Sequence, residues 1–467
     1  MSETGALSVR FDVDLVRRYD KSGPRYTSYP TAVQFHAGFD EKPYKAWAEH
    51  TNGEPIPRPL SLYFHLPFCD TVCFYCACNK VVTKDRTRAV SYLDHLHREI
   101  AMQGRLFDGD RVVDQLHWGG GTPTFISHEQ MRELMQVTRQ HFTLRDDDQG
   151  EYSIEIDPRE VRRDTISLLR EIGFNRMSLG IQDFDPTVQK AVNRIQSYEE
   201  TMAAMNGARE EGFKSISVDL IYGLPFQSTQ SFDETLKTII EASPDRVSLF
   251  NYAHLPEMFK PQRRINEADL PSPGEKLEIL KLSITRLTDA GYIFIGMDHF
   301  AKPDDELAVA QRNRTLYRNF QGYSTHSNCD LIGMGITAIG MVGDTYSQNV
   351  KTLDEYYARL DHGHLPILRG IELDADDRLR RQVITSLICH FELVFAEVER
   401  EYGVDFGAYF AEELKDLKPM EADGLITVDA RGICVTPAGK LLIRNVCMVF
   451  DRYLREAAGG QRFSKVI

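Results

Sequence analysis

Residues 60–80 read LSLYFHLPFCDTVCFYCACNK, an apolar, β-rich run that hands over to a tight loop bearing Cys69, Cys73 and Cys76 in C-x-x-x-C-x-x-C spacing. Soft thiolate ligands select iron–sulfur clusters, zinc or Cu(I). A four-iron cluster normally takes four cysteines, so three thiolates on one loop leave an iron open to a substrate or cofactor. An open iron means chemistry, whereas a saturated cluster mainly carries electrons. A structural zinc site would show two short-spaced ligand pairs well apart in sequence, and the sequence has no second pair. Cys78 follows Cys76 by two residues. That spacing strains joint ligation of one compact cluster, so Cys78 is read as a neighbour of the metal and not a ligand. Cys329, Cys389, Cys434 and Cys447 stand singly in segments that read as core or helix, and are expected to be small buried hydrophobes.

Outward from that first strand, short apolar runs alternate with longer amphipathic segments as far as about residue 300. Strands are expected at 60–66, 112–118, 151–157, 176–182, 215–223, 246–253 and 292–300. Helices are expected at 88–102, 129–142, 163–173 and 231–242, where apolar residues recur at i, i+3 and i+4. Alternation of this kind implies parallel βα units. Six or seven of them predict an α/β fold, a full or partial (β/α) barrel of the TIM-like kind, in preference to an open doubly wound sheet. In such barrels function gathers at the carboxyl ends of the strands. The cysteine loop follows the first strand, Gly119 to Thr124 follow the second, and Glu155 with Asp157 ends the third. Gln182, Asp219 and Ala253 fall at or near the ends of three later strands.

Three divisions are expected: an N-terminal arm over 1–58, rich in arginine and tyrosine and including RYTSYPTA (25–32); the barrel over 59–345; and a smaller, mainly helical domain over 346–467. In the last, GLITVDARGICVT (424–436) reads as a β-hairpin and 440–455 as a closing helix. Helices followed by a hairpin resemble a winged helix. Yet 55 basic against 69 acidic side chains give a net charge of −14, and nucleic-acid binding needs a basic face to neutralise phosphates, so a packing or lid domain is expected. Hydrophobic content of 42% allows a full core. The first residues lack a positively charged start followed by an apolar run, and no later stretch approaches the roughly 18 apolar residues of a membrane span. Eight cysteines without a secretory signal argue for reduced thiols. A soluble, cytoplasmic protein is expected.

A second motif, HWGGGTPT (117–124), sets three glycines and Thr122 where a strand meets a helix, and bare backbone there can approach a ligand closely. It lacks the P-loop lysine and the G-x-G-x-x-G spacing, and gains meaning one βα unit downstream of the cysteine loop. Together the two motifs resemble the radical S-adenosylmethionine (SAM) enzymes, in which three cysteines hold a four-iron, four-sulfur cluster and SAM chelates the open iron. RYTSYPTA, YFHLPFC, CFYCACNK, LHWGGGTPT, SIEIDPRE, DLIYGLP, FNYAHLP, GMDHFA and NFQGY are similar to the branch of that family that works on coproporphyrinogen III in haem biosynthesis, over essentially the full length.

The resemblance implies one [4Fe-4S] cluster on Cys69, Cys73 and Cys76, with Tyr63, Gly120, Glu155 and Ile339 at the SAM that touches it. It further implies a second SAM at Tyr75, Gly121, Thr122, Gln182, Arg194, Asp219 and Ala253. Tyr75 is a departure, since related members can carry phenylalanine there. The implied reaction turns two propionates into vinyl groups with loss of two carbon dioxide molecules, after a 5′-deoxyadenosyl radical takes hydrogen from a propionate β-carbon. No side-chain acid or base is required. A one-electron donor such as a flavodoxin or ferredoxin, and a monomeric chain, are implied with it. Independently, carboxylates such as Glu155 and Asp219 suit ribose hydroxyls. The Arg194 fork suits a carboxylate, either of the second SAM or of a substrate propionate, although AVNRIQS alone reads as an exposed helix charge. A substrate with four propionates needs local positive charge. Arg10, Arg17, Arg18, Lys21 and Arg25 of the arm, and Lys260, Arg263 and Arg264, are the candidates. A haem chaperone or haem-handling methyltransferase would share the three cysteines and the glycine turn, but Cys78 and the arm favour the decarboxylating branch. A non-catalytic electron-transfer or zinc-stabilised binding protein would show no cleavage of SAM.

Overall fold

A computed structural model describes residues 9–456; the opening MSETGALS, part of the stretch read above for a leader, lies outside them. Chain contacts divide the molecule into two compact units. Residues 34–272 and 328–372 form one, and the described residues of 1–33, 273–327 and 373–467 form the other. The compact units do not follow the expected bounds at 58/59 and 345/346. Helix α1 (Glu41–Asn52), expected in the arm, packs in the first unit, where Tyr44 donates its hydroxyl to Gln103 at 2.9 Å and Asn52 its amide to Leu106 O at 2.9 Å. A bound at 345 would cut the strand Thr345–Asn349 off at its first residue.

In the second unit the arm begins with a helix, Val13–Tyr19, capped by Asp12. Tyr19 donates its hydroxyl to Asp423 at 2.6 Å, Arg18 pairs with the same carboxylate, and Asn445 donates to Tyr19 O at 2.9 Å. The arm is thereby tied to the C-terminal helices. The hairpin forms as Ile426–Val428 and Gly432–Val435, joined by Glu392–Val394 as a third antiparallel strand. The closing helix is broken: Ile443–Val449 stops, and Arg452–Glu456 restarts after Asp451, whose carboxylate accepts the N–H groups of Tyr453 and Leu454. YIFIGMDHF (292–300) is not one strand. Gly296 (φ 142°) and Met297 (φ 52°) turn it into an antiparallel hairpin of Ile293–Gly296 and His299–Ala301. Cys389 and Cys447 are buried here as expected, whereas Cys434 on the hairpin is exposed.

The first unit is a partial barrel. Strands β1 (Leu60–Leu66), β2 (Val112–Gly120), β3 (Glu151–Ile156), β4 (Arg176–Gln182), β5 (Ser215–Tyr222), β6 (Arg246–Asn251) and β7 (Asp330–Met334) are all parallel. Their order is β6-β5-β4-β3-β2-β1-β7, so the seventh parallel strand pairs with β1 at Leu60↔Asp330. Three antiparallel strands extend that edge: β8 (Ile339–Val342), β9 (Thr345–Asn349) and β10 (Ile367–Glu372). Cys329, just before β7, is buried. Along β3, β4 and β5 burial alternates with period two. Ile154, Leu179, Val218 and Leu220 are fully covered, while Ser153, Glu155, Ser178, Gly180, Gln182 and Asp219 on the other face stay partly open. Successive side chains of a strand point to opposite faces, so one face makes the core and the other lines a polar interior.

Helix α2 (Thr87–Gly104) is locked to the end of β1 and to the turn beyond β7. Tyr92 donates its hydroxyl to His65 O at 2.6 Å and accepts the Ile336 N–H at 3.2 Å. Glu99, fully buried, accepts from Gly335 N–H (2.8 Å), Asn349 Nδ2 (2.8 Å) and the Tyr356 hydroxyl (2.6 Å). Burial pushes its carboxyl up to about 7. Replacing Glu99 by alanine strands three buried donors, each costing about 1–3 kcal/mol. We expect Glu99→Ala to lower the thermal unfolding midpoint by several degrees; an unchanged midpoint would show that these donors find other acceptors.

Candidate active site

The cysteine loop is fastened at both ends. Phe68–Cys69 and Val81–Val82 pair as short parallel strands, with Val81 N–H donating to Pro67 O at 2.7 Å and Thr83 N–H to Cys69 O at 2.9 Å. Between these ends Phe74 N–H donates to Val192 O at 2.9 Å and Asn193 Nδ2 to Val72 O at 2.8 Å. Lys80 donates to Cys76 O at 2.9 Å. The loop is therefore a closed ring of chain that presents its thiols at the carboxyl end of β1. Burial pushes the Cys69 thiol up to about 11. Cys76 is pulled down by a hydrogen bond from Cys78 and by Lys80.

The glycines after β2 each admit a different neighbour. A Cβ on Gly119 would lie 2.9 Å from Glu155 Oε1, one on Gly120 (φ 113°) 2.7 Å from the His65 ring, and one on Gly121 2.6 Å from Phe68 O. Glu155 accepts the Gly120 N–H at 3.1 Å, and His117 Nε2 lies 3.4 Å from it. Burial works to raise Glu155, but His117 and that N–H hold it below the usual carboxylate range. His117 is fixed from behind by Ser153 Oγ at 2.6 Å and stacks on Tyr63 with centroids 5.8 Å apart. His65 places Nε2 3.0 Å from Asn79 O and Nδ1 3.1 Å from the Tyr63 hydroxyl. Burial lowers its pKa, so the neutral ring donates from Nε2 and accepts the Tyr63 proton at Nδ1.

Arg194 is not an exposed helix charge. It is 6% exposed, donates to Asp157 at 2.9 Å and to Gly180 O, and lies 3.6 Å from Cys73 Sγ. Its buried Nε has no acceptor among the described residues. Arg159 flanks the same thiol at 3.8 Å and binds Asp157 at 2.7 Å. Gln182 ends β4 with φ 72°, at a bulge where it pairs with Leu220. Asp219, on β5 opposite Gly180, accepts from Ser178 at 3.2 Å. Burial first, and the Glu155 charge next, push Asp219 up to about 6. Gln262, 1% exposed, donates to both Tyr75 O (3.1 Å) and Ala253 O (3.2 Å), so one amide brings those two expected residues together. Tyr75 packs on the cluster of Val188, Val192, Leu224, Tyr252 and Ile265. Thr122 donates to Cys69 Sγ at 3.6 Å. Ile339 backs onto Gly333, the register partner of Tyr63, whose Cβ would meet Ile339 O at 2.6 Å.

The sequence reading passed over His65, His117, Arg159 and Gln262. His65, His117 and Arg159 stood inside quoted motifs, so alternation along β1 and β2 and the nearness of Arg159 to Asp157 were usable signals; Gln262 in KPQRR offers none. Of the basic candidates, Arg10, Arg18 and Arg25 already face carboxylates of Asp12, Asp423 and Asp298. Arg264 lies over the Phe74 ring at 5.3 Å, at the edge of the cysteine loop.

This donor set fits an iron–sulfur cluster with a polar organic ligand. Three soft thiols share one fastened loop, two guanidinium groups face Cys73, and the Nε of Arg194 is a buried donor awaiting an acceptor. Residues 63–239 match the Radical SAM superfamily, and 373–442 match the HemN C-terminal domain. Fold and site together define a radical SAM enzyme. The chain is 57% identical over 460 residues to the oxygen-independent coproporphyrinogen III oxidase of Pseudomonas aeruginosa, covering 98% of this chain and 99% of that one. It is 53% identical to the Escherichia coli protein of the same name, with the same coverage. A solved structure, coproporphyrinogen III oxidase (HemN) from Escherichia coli, described as a radical SAM enzyme, superposes with a TM-score of 0.91 at 50% identity, over 96% of this chain and 100% of that one. The chain belongs to the family of oxygen-independent coproporphyrinogen III oxidases.

Because a methyl group on Gly121 meets main chain on both sides of Pro67 and Phe68, it must push the strand that carries Cys69. We expect Gly121→Ala to retain clearly less iron and acid-labile sulfide per chain after anaerobic reconstitution; wild-type loading would mean the loop tolerates the shift.

Proposed function

We propose that this chain oxidatively decarboxylates two propionates of coproporphyrinogen III to the vinyl groups of protoporphyrinogen IX in haem biosynthesis. The observation that carries this reading is the three-thiol loop, fastened at both ends beside the glycine turn, within a chain similar along its whole length to enzymes named for that substrate. When bound, a [4Fe-4S] cluster with SAM would supply one-electron reduction and removal of a hydrogen atom from the propionate β-carbon, and each vinyl would be completed by loss of carbon dioxide and of one electron to a one-electron acceptor.

The residues of the chain hold, orient and shield. Cys69, Cys73 and Cys76 hold the cluster, and Cys78 keeps its proton and donates a hydrogen bond to the Cys76 sulfur as a neighbour. Tyr63, Gly120, Glu155 and Ile339 frame the SAM on the cluster. Glu155 stays charged and accepts ribose or amino hydrogens, fixed by His117 and the Gly120 N–H. Tyr75, Gly121, Thr122, Gln182, Arg194, Asp219 and Ala253 frame a second SAM, with Gln262 holding the backbones of Tyr75 and Ala253 at one spacing. The Nε of Arg194 meets a ligand carboxylate. A one-electron carrier such as a flavodoxin or ferredoxin feeds the cluster, and the chain works as a monomer in the cytoplasm, a reducing compartment that suits its free thiols. Among the described residues no helix is long and apolar enough to cross a membrane.

Anaerobic reconstitution, followed by assay with coproporphyrinogen III, SAM and a reductant, tests the reading. Protoporphyrinogen IX, carbon dioxide and 5′-deoxyadenosine should appear together and vanish in Cys73→Ser. Haem retention or methyl transfer without decarboxylation would overturn it. Asp219 adds a pH signature. Its pKa near 6 lies above the ordinary 3.8, so it is neutral below that point and charged above it. SAM affinity should rise as pH passes upward through about 6, by roughly tenfold for a hydrogen bond that gains an ionised acceptor. In calorimetric titrations between about pH 5 and pH 7.5, Asp219→Asn should lose that step; a step that persists would assign it elsewhere.

A further inference from the structure

We infer that the second unit carries a receptor for a carboxylate, built around Arg318 with Arg25 and Arg444, and that its ligand is a propionate of the tetrapyrrole substrate. The identity of the ligand rests on the function proposed above; the receptor itself rests on geometry. Arg318 lies on Tyr317–Asn319, one strand of a hairpin with Gly322–Ser324, directly opposite Tyr323. Its guanidinium sits 4.7 Å from the centre of the Tyr323 ring, and the residue is 7% exposed. Among the described residues, Nε and Nη1 of this buried cation have no acceptor, and neither has Nε2 of Gln321 in the turn of the same hairpin. All three unmet atoms are donors. A buried charge without acceptors is costly, and what would complete this one is an anion with several lone pairs.

The surroundings carry an excess of positive charge. Arg444, 3% exposed, donates to Pro24 O at 2.9 Å and to Gly23 O. Burial, then the charge of Arg25, pushes its pKa down to about 10, and Arg318 adds to the repulsion. Asp298 is the carboxylate acting on this group, and it pairs with Arg25 at 3.1 Å. Among the described residues, three guanidinium groups and the Asp298 carboxylate act on one another here. Arg25, with 37% of its side chain open, marks the solvent side. Three segments far apart in sequence meet here: RYTSYPTA opens with Arg25, GMDHFA contains Asp298, and NFQGY follows Arg318. In a chain of net charge −14, such a cluster supplies the local inversion that a tetracarboxylic substrate needs. A planar guanidinium matches a carboxylate better than an ammonium does.

The test titrates coproporphyrin III, the stable aromatic form of the substrate, into the reconstituted holoenzyme by fluorescence, beside its tetramethyl ester. Arg318→Gln and Arg25→Gln should each weaken the tetra-acid about 10- to 100-fold, the size of a lost charge-assisted hydrogen bond. Each should leave the ester within about twofold of wild type. Arg318→Lys should fall between, keeping charge without the fork. Iron content and thermal melting check the fold of each variant, and the half-exposed Arg25 carries the test if Arg318→Gln misfolds. Wild-type affinity for the tetra-acid in the folded variants overturns the receptor, as does equal loss for acid and ester, which marks packing alone. If wild type itself neither binds coproporphyrin III nor converts coproporphyrinogen III, the proposed function fails instead.

Discussion

The site depends on a main-chain contact. Gly121 N–H donates to Leu66 O at 2.8 Å and Thr122 N–H to Phe68 O at 2.7 Å, which carries the β1–β2 ladder past the ends of both strands. The strand that leads into the thiols is thereby zipped to the strand that ends in glycine. Bare backbone at 119–121 is required first by the protein itself: Gly119 clears Glu155, Gly120 clears His65, and Gly121 clears the main chain of Pro67 and Phe68. Closeness to a ligand is then a second use of the same missing side chains. The position of Cys69, the seat of Glu155 and the orientation of His65 all follow from this one approach.

Period-two alternation divides the barrel into a dry face and a polar one, and the polar face separates two acids. Glu155 is kept charged by His117 and the Gly120 N–H, and its charge helps keep the proton on Asp219 up to about pH 6. Neighbouring carboxylates with opposed environments take different protonation states at one pH. Near neutrality both are ionised acceptors, and in mild acid only Glu155 remains ionised while Asp219 gains an O–H donor.

Much of this was legible in sequence because the signals are local. β1 and β4 fall where alternation put them, and the thiol and glycine motifs declare themselves by spacing. The seventh parallel strand was not legible. DLIGM (330–334) is short and contains glycine, whereas the more strand-like YIFIGMDHF is turned back at Gly296 and Met297. The unit boundaries escaped for a related reason: the chain leaves the barrel at about 272 and returns at about 328, and no composition shift marks an exchange between two well-packed bodies. Arg194 and Gln262 sit in ordinary polar stretches, and their roles exist only once the loop at 69–76 and the strand ends are folded beside them.

Arg194 also shows how far a fork can be shared. One nitrogen is taken by Asp157 and a second by Gly180 O, where the absent Cβ lets the guanidinium lie flush against β4. Nε is left without an acceptor among the described residues, so it is the edge of the fork that carries Nε that can meet a ligand. The rest of its charge acts on sulfur: with Arg159 it sets two cations and one anion, Asp157, beside Cys73. The positive charge beside Cys73 is therefore supplied locally, by two side chains within a chain of net charge −14.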